Sequence, residues 1–175
     1  GFPFLDSRSR IAMLKETIEV LKGLWGNDKF SYSGKFYHLK EAYCSPKATT
    51  PIWVGTFKSG HLMLDLCARL ADGINIWGSP PQLRESLEIL NELCHKYDRD
   101  ITKSWSGICI IGKSKEEVMK KVRAFLKPGQ SLEDYAEPRL VGTQKEIEEK
   151  IKIYEEMGIS HFILRFPYLE DAVEF

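Results

Sequence analysis

The chain has 175 residues, 43% of them hydrophobic, which is enough for one domain with a sizeable core and short for two. Its 25 basic and 25 acidic residues cancel, so no net field favours nucleic acid or an anionic membrane surface. No apolar run approaches the roughly 20 residues a membrane-spanning helix needs, and the first residues carry no signal-like apolar segment, so a cytoplasmic setting is expected.

Ile11, Leu14, Ile18 and Leu21 recur at spacings of three and four, which predicts an amphipathic helix over 7–25. Asp6 or Ser7 would cap it, and Gly26-Asn27 would end it. Phe30–Leu39 alternates on both sides of Ser33-Gly34, a β-hairpin signature; its aromatic residues either pack on the body or pave a ligand mouth. His38 lies in the second arm, and residues 44–51 form an irregular connector.

From Pro51 the chain becomes regular. A buried-type strand (Ile52–Val54) runs into a small-residue loop and a helix over 60–70; after Asp72-Gly73 comes a strand, Ile74–Trp77. Ser79, Pro80 and Gln82 form a capping box that opens a helix to about Tyr97. Strand Ser106–Ile111 follows, then a box at Ser114–Glu117 for a helix to about Leu126, broken at Lys127–Gln130. After a loop, Thr143–Glu146 caps a helix through Met157, Gly158 ends it, and His161–Phe166 is a final strand. Near-continuous apolar strands separated by helices predict a parallel α/β sheet covered on both faces, either open or closed into a barrel. In both forms the functional edge is the carboxyl ends of the strands.

The loop Gly55–Gly60 stands at that edge. A strand ending in glycine, followed by amides that open a helix, can hold a phosphate, or can simply make a tight turn. Trp77-Gly78 closes a strand at the same edge, where the indole either borders a flat ring or packs in the core. Arg165, near the end of the last strand, needs a phosphate, a carboxylate or a neighbouring acid. His61 and Asp65 fall four apart on one helix face as a possible pair, and His161 begins its strand at the structural end. The four cysteines (Cys44, Cys67, Cys94, Cys109) are scattered, with no metal-ligand spacing and no disulfide pattern, so no metal site is expected. No G-x-S-x-G, H-E-x-x-H, Walker-type or G-x-G-x-x-G motif is present.

Taken in order, Leu24-Trp25, Gly34-Lys-Phe-Tyr37, Ser45-Pro46-Lys47, Pro51-Ile-Trp-Val-Gly55, Ser59-Gly60, Ala68–Gly73, Val141-Gly142-Thr143 and Gly158–Pro167 resemble the luciferase-like monooxygenase family. That family includes bacterial luciferase and deazaflavin-dependent relatives. The resemblance implies a partial (β/α)₈ barrel of about four parallel strands plus an inserted hairpin, since family members are barrels of roughly twice this length. Residues 1–175 would be one domain matching the carboxyl-terminal half of such a barrel, with helix, hairpin and connector in 1–50 and βα repeats in 51–175.

It further implies a flavin- or deazaflavin-dependent oxidoreductase, with FMN or coenzyme F420 undecided and a small organic substrate. Gly55, Thr56, Lys58, Ser59 and Gly60 would then hold the cofactor phosphate, with Trp77, Gly78 and Arg165 completing the cofactor-binding set. The loop departs from the family pattern: Thr56-Phe57-Lys58 separates Gly55 from Ser59, two residues more than usual. His61 and Leu62 fill the usual Pro and basic positions, so the usual positive charge is absent unless Lys58 replaces it. Four parallel strands leave open edges and an exposed apolar face. A homo-oligomer or an amino-terminal half is therefore expected to cover them, and the alternative function is a non-catalytic half-barrel for assembly or ligand binding.

Overall fold

The computed structural model describes residues 4–56 and 60–174. Helix α1 (Ser7–Gly26) starts at Asp6, whose carboxylate accepts from the Arg8 and Ser9 amides at 3.0 and 3.1 Å. Strands β1 (Phe30–Ser33) and β2 (His38–Ala42) pair antiparallel as the predicted hairpin. Glu16 of α1 is buried against its turn and accepts from the amides of Lys35, Phe36 and Tyr37 at 2.8, 2.8 and 3.2 Å. One carboxylate thus fastens the hairpin to the helix.

The body is a five-stranded parallel sheet built from β3 (Trp53–Thr56), β4 (Gly73–Ile76), β5 (Thr102–Ile111), β6 (Leu140–Gly142) and β7 (His161–Arg165). Between these run α2 (His61–Leu70), α3 (Pro80–Lys96), α4 (Lys115–Val122), α5 (Leu132–Ala136) and α6 (Gln144–Glu156), and α7 (Asp171–Glu174) closes the chain. The ten-residue β5 is the spine: Thr102–Trp105 pairs with β4, Ser104–Ile108 with β7, and Cys109–Ile111 with β6. It begins at Thr102 rather than Ser106, because Thr102–Trp105 is in register with Gly73–Ile76 despite its polar residues. The segments α5 and β6, which pattern reading leaves as loop, are too short for periodicity to reveal.

Alternation decides which face is buried. Val54, Ile74, Ile76 and Trp105 pack with Leu64, Leu87, Leu90, Ile147 and Tyr154, so α2, α3 and α6 cover one face. On the other face, Ile163 is 53% exposed and Trp53 36% exposed, and Gly55, His161 and Arg165 are exposed with them. The expectation of helices on both faces is therefore corrected: that face is open except near Ile110, where Val118, Val122 and Tyr135 close over it. Trp53 lies across Gly73, where an added Cβ would fall 2.7 Å from the indole. The same indole meets His161 edge-on at 5.5 Å, joining the first and last strands across the open face.

Helix starts follow the expected chemistry with one variation. Ser79–Gln82 and Thr143–Glu146 form capping boxes. At α4, Ser114 accepts from the Glu117 amide at 3.3 Å, but Glu117 reaches back to the Lys113 amide instead of closing the box.

Candidate functional site

Two concave places stand out, one between α1 and the start of α2 and the other over β5 and the end of β7 beside Trp77. At the first, β3 ends at Thr56 and α2 begins at His61 with Gly60 as its N-cap. Lys58 and Ser59 lie outside the described residues. The Gly60 carbonyl accepts from Met63 and Leu64, but among the described residues no side chain caps the first turn of α2. The starts of α1, α4 and α5 are each served by a side-chain oxygen, and α3 and α6 have capping boxes. First-turn amides without an acceptor, at the positive end of the helix dipole, attract anions.

A Cβ built at Gly55 or Gly60 meets no atom of the described residues within 4 Å. Gly60, His61, Leu62 and Met63 form one wall of a groove of about 580 Å³, and Arg8, Arg10, Ile11 and Leu14 of α1 line the other. Arg10 is held by the Leu5 carbonyl at 2.6 Å and lies 4.4 Å over the Phe4 ring. Two cations from α1 thus stand beside a helix start whose own sequence offers His61 and Leu62.

The second place is a cleft of about 360 Å³ lined by Trp77, Ser106, Ile108, Arg139, Ile163 and Arg165, among others. The Arg139 guanidinium lies 4.1 Å over the Tyr135 ring, donates to the Tyr135 carbonyl at 2.6 Å, and is 6.0 Å from the Trp77 ring. Its backbone is held too: Lys150 Nζ donates to the carbonyls of Ala136, Glu137 and Arg139 at 2.9, 2.6 and 2.7 Å. Burial pushes the Lys150 ammonium down to about 8, against the pull of Glu137. Arg165 ends β7 and is exposed. Among the described residues, neither Arg139 nor Arg165 has an ion-pair partner. Both act on one phenol: burial raises the Tyr135 pKa, and the charges of Arg139 and Arg165 oppose it.

Gly78 follows Trp77 after β4 and is buried. Its φ of 151° suits glycine, and an added Cβ would meet Gln82 and Leu83 at 3.2 Å. Its carbonyl accepts from Trp105 Nε1 at 2.9 Å and from the Tyr154 hydroxyl at 2.7 Å, so that oxygen is spent internally. Gly78 fixes the chain beside Trp77 while its own acceptor is turned to the core. Trp77 and Arg165 do share a cleft, but Gly60 opens on the other groove.

The remaining candidates are structural. Asp65 meets Arg69 at 3.1 Å and the Tyr97 hydroxyl at 2.5 Å rather than pairing with His61. Cys67, Cys94 and Cys109 are buried, and burial raises all three thiols, Cys67 and Cys109 to about 12. Among the described residues no three His, Cys, Asp or Glu side chains gather around a point where a metal could sit, and no helix is long and apolar enough to cross a membrane.

The family model described as luciferase-like monooxygenase matches residues 4–139. This chain belongs to the luciferase-like monooxygenase family. Among curated relatives, the F420-dependent glucose-6-phosphate dehydrogenase of Kineococcus radiotolerans is 23% identical over 95% of this chain and 58% of its own length. The enzyme of the same name from Microbacterium testaceum is 25% identical over the same shares. The chain thus spans little more than half the length of these relatives. Among solved structures, an F420-dependent secondary alcohol dehydrogenase holding an F420-acetone adduct superposes with a TM-score of 0.79 at 17% identity, over 96% of this chain and 60% of that one. A riboflavin lyase with modified FMN and riboflavin gives 0.77 at 14% identity, over 100% and 57%. The fold is accordingly a partial (β/α)₈ barrel of the luciferase-like type.

For this luciferase-like chain, three functional candidates escape sequence reading. Arg8 and Arg10 lie some fifty residues before the groove they share with α2, on the same groove wall as Ile11 and Leu14 of the apolar stripe. Arg139 precedes a strand of three residues that no alternation can announce. The signal available for each was a cation beside an element boundary, which is common enough to carry little weight alone.

Proposed function

We propose that this chain carries the phosphate side of a flavin-type cofactor site in an oxidoreductase, with FMN or the deazaflavin coenzyme F420 as the cofactor. The observation that carries the reading is the start of α2, which no described side chain caps, after β3 in the chain and beside Arg8 and Arg10. The residues present fit a phosphate: the first-turn amides of α2, no described atom within 4 Å of a Cβ at Gly60, and Arg8 and Arg10 across the groove, with Gly55 and Thr56 of β3 taken into the same proposal. Lys58 and Ser59 belong to the same loop and are part of the proposal. Trp77 offers an aromatic wall towards the cofactor tail, and Arg165 a second cation. The bound cofactor would supply the redox chemistry, while the protein binds, orients and shields it. The names of the two curated relatives and of the alcohol dehydrogenase favour F420 and a small organic substrate.

Turnover requires a cover for the open face, where Ile163 and Trp53 stand 53% and 36% exposed. We assign that role to the other half of a barrel or to a second copy of the chain, so residues 1–175 act as a half-barrel domain. The same open face supports a second reading, a half-barrel that assembles or binds ligand without turnover.

Fluorescence titration of the chain with FMN, F420 and riboflavin, with mass read by light scattering, tests the proposal. Riboflavin lacks the phosphate, so it should bind at least about tenfold more weakly than FMN, the worth of a charge-assisted contact. Equal affinity for FMN and riboflavin, or no binding of either phosphate-bearing cofactor, removes the proposal. Binding without turnover in a complete assembly would select the second reading.

A further inference from the structure

Arg139 and Arg165 come from different elements, the approach to β6 and the end of β7, yet line one small cleft. Along β7, His161, Ile163 and Arg165 alternate with Phe162 and Leu164, which puts Arg165 on the open face of the sheet. Like charges in one cleft repel unless an anion joins them, and no described acid pairs with either. Arg139 is also pre-positioned: it stacks on Tyr135, spends Nη1 on the Tyr135 carbonyl, and has its own carbonyl gripped by Lys150. A guanidinium has five N–H donors in a rigid fork, so most of its donors remain for a ligand. The Ser106 hydroxyl proton is committed to Asn75 Oδ1 at 2.8 Å, leaving the arginines as the charged donors. Trp77, Ile108 and Ile163 make the rest of the lining apolar.

We infer that the Arg139–Arg165 cleft is an oxyanion subsite, distinct from the start of α2, that holds a phosphate or carboxylate of a small ligand against the Trp77 wall. A volume of about 360 Å³ suits a small anionic metabolite. It extends the cofactor reading, with which it shares Arg165 and Trp77, and anion binding by Arg139 and Arg165 is tested without a cofactor.

Inorganic phosphate is the probe, titrated into the 175-residue chain at low ionic strength by calorimetry. Saturable binding is expected, weakened about tenfold by Arg139→Gln and by Arg165→Gln, and less by Arg165→Lys. Lys152→Gln, the same charge change on the exposed side of α6, should leave it within about twofold. Arg165 is exposed, so its variants are expected to fold, and far-UV circular dichroism checks that. Wild-type affinity in both glutamine variants, an equal loss in Lys152→Gln, or no saturable binding by the wild type overturns the inference. FMN titrated into Arg165→Gln then assigns the source. A parallel loss of FMN affinity would put the single FMN phosphate in this cleft and overturn a subsite distinct from the start of α2, whereas unchanged FMN affinity gives the cleft to a second ligand. Failure of FMN to bind any of these proteins would strike the cofactor proposal alone.

Discussion

Two buried donors converge on one oxygen, and their removal should be non-additive. Gly78 is buried, and its carbonyl is shared by the Trp105 indole and the Tyr154 hydroxyl. Tyr154→Phe removes one donor and keeps the ring, so the carbonyl retains Trp105. The expected cost is about 1 kcal/mol, a typical net hydrogen bond. Trp105→Phe removes the other donor and opens space at a residue with no exposure, so it costs more. In the double variant the carbonyl has no donor left among these two, and an orphaned buried acceptor adds about 1–3 kcal/mol. The double variant should therefore lose about 1 kcal/mol more than the sum of the singles. Urea unfolding of all four proteins, followed by circular dichroism, measures this, and the cavity cost cancels in the cycle. Additivity within about 0.5 kcal/mol would refute the shared-acceptor account.

Gly78→Ala should cost about 1–3 kcal/mol, because a φ of 151° strains any L-residue and the new methyl presses on Gln82 and Leu83. Thermal denaturation checks it, with roughly 2–4 °C expected per kcal/mol for a chain this long. Lys150 has a folded pKa of about 8 against 10.5 unfolded, so the unfolded state binds more protons between those values and stability rises as pH passes 8. Above pH 9 the raised thiols of Cys67 and Cys109 act oppositely, since the folded state then holds more protons. Lys150→Met should flatten the rise near pH 8 and leave the later fall. Glu16 is burdened by burial, but three backbone amides outweigh this and hold its carboxyl below its usual pKa. Its contribution is present above that usual value and lost as pH falls through the lowered one. Glu16→Gln should lower the melting temperature at neutral pH and make the acid limb shallower.

Legibility followed pattern length. The long helices and their caps could be read because Ser79–Gln82 and Thr143–Glu146 combine a cap with extended periodicity. The hairpin showed through alternation around Ser33-Gly34, but its tether did not, since a glutamate in mid-helix looks like any solvated charge until Glu16 is seen under three amides. The amino half of β5 was hidden by Thr102, Lys103 and Ser104, whose place in the sheet is set by pairing with β4 rather than by their own hydrophobicity. Coverage on both faces, expected from the local pattern, failed for the same reason, whereas the exposed apolar face expected from the strand count is present. Trp53 and Ile163 are as apolar as core residues, and only strand parity against three helices shows that they face outwards. At the candidate site, the Gly55–Gly60 loop could be read as a local motif. Arg165 could be read too, but Arg8, Arg10 and Arg139 could not, because a groove between α1 and α2 and a cleft beside β6 have no signature in any one segment.

The central claim is that the opening of α2 receives the cofactor phosphate. Amide NMR of the ¹⁵N-labelled chain, titrated with FMN and separately with riboflavin, tests it most directly. The account predicts saturable shifts at Gly55, Thr56, Gly60, His61 and Leu62 with FMN, and little change at these amides with riboflavin. If FMN binds while these five amides stay still, the phosphate sits elsewhere and the account is wrong.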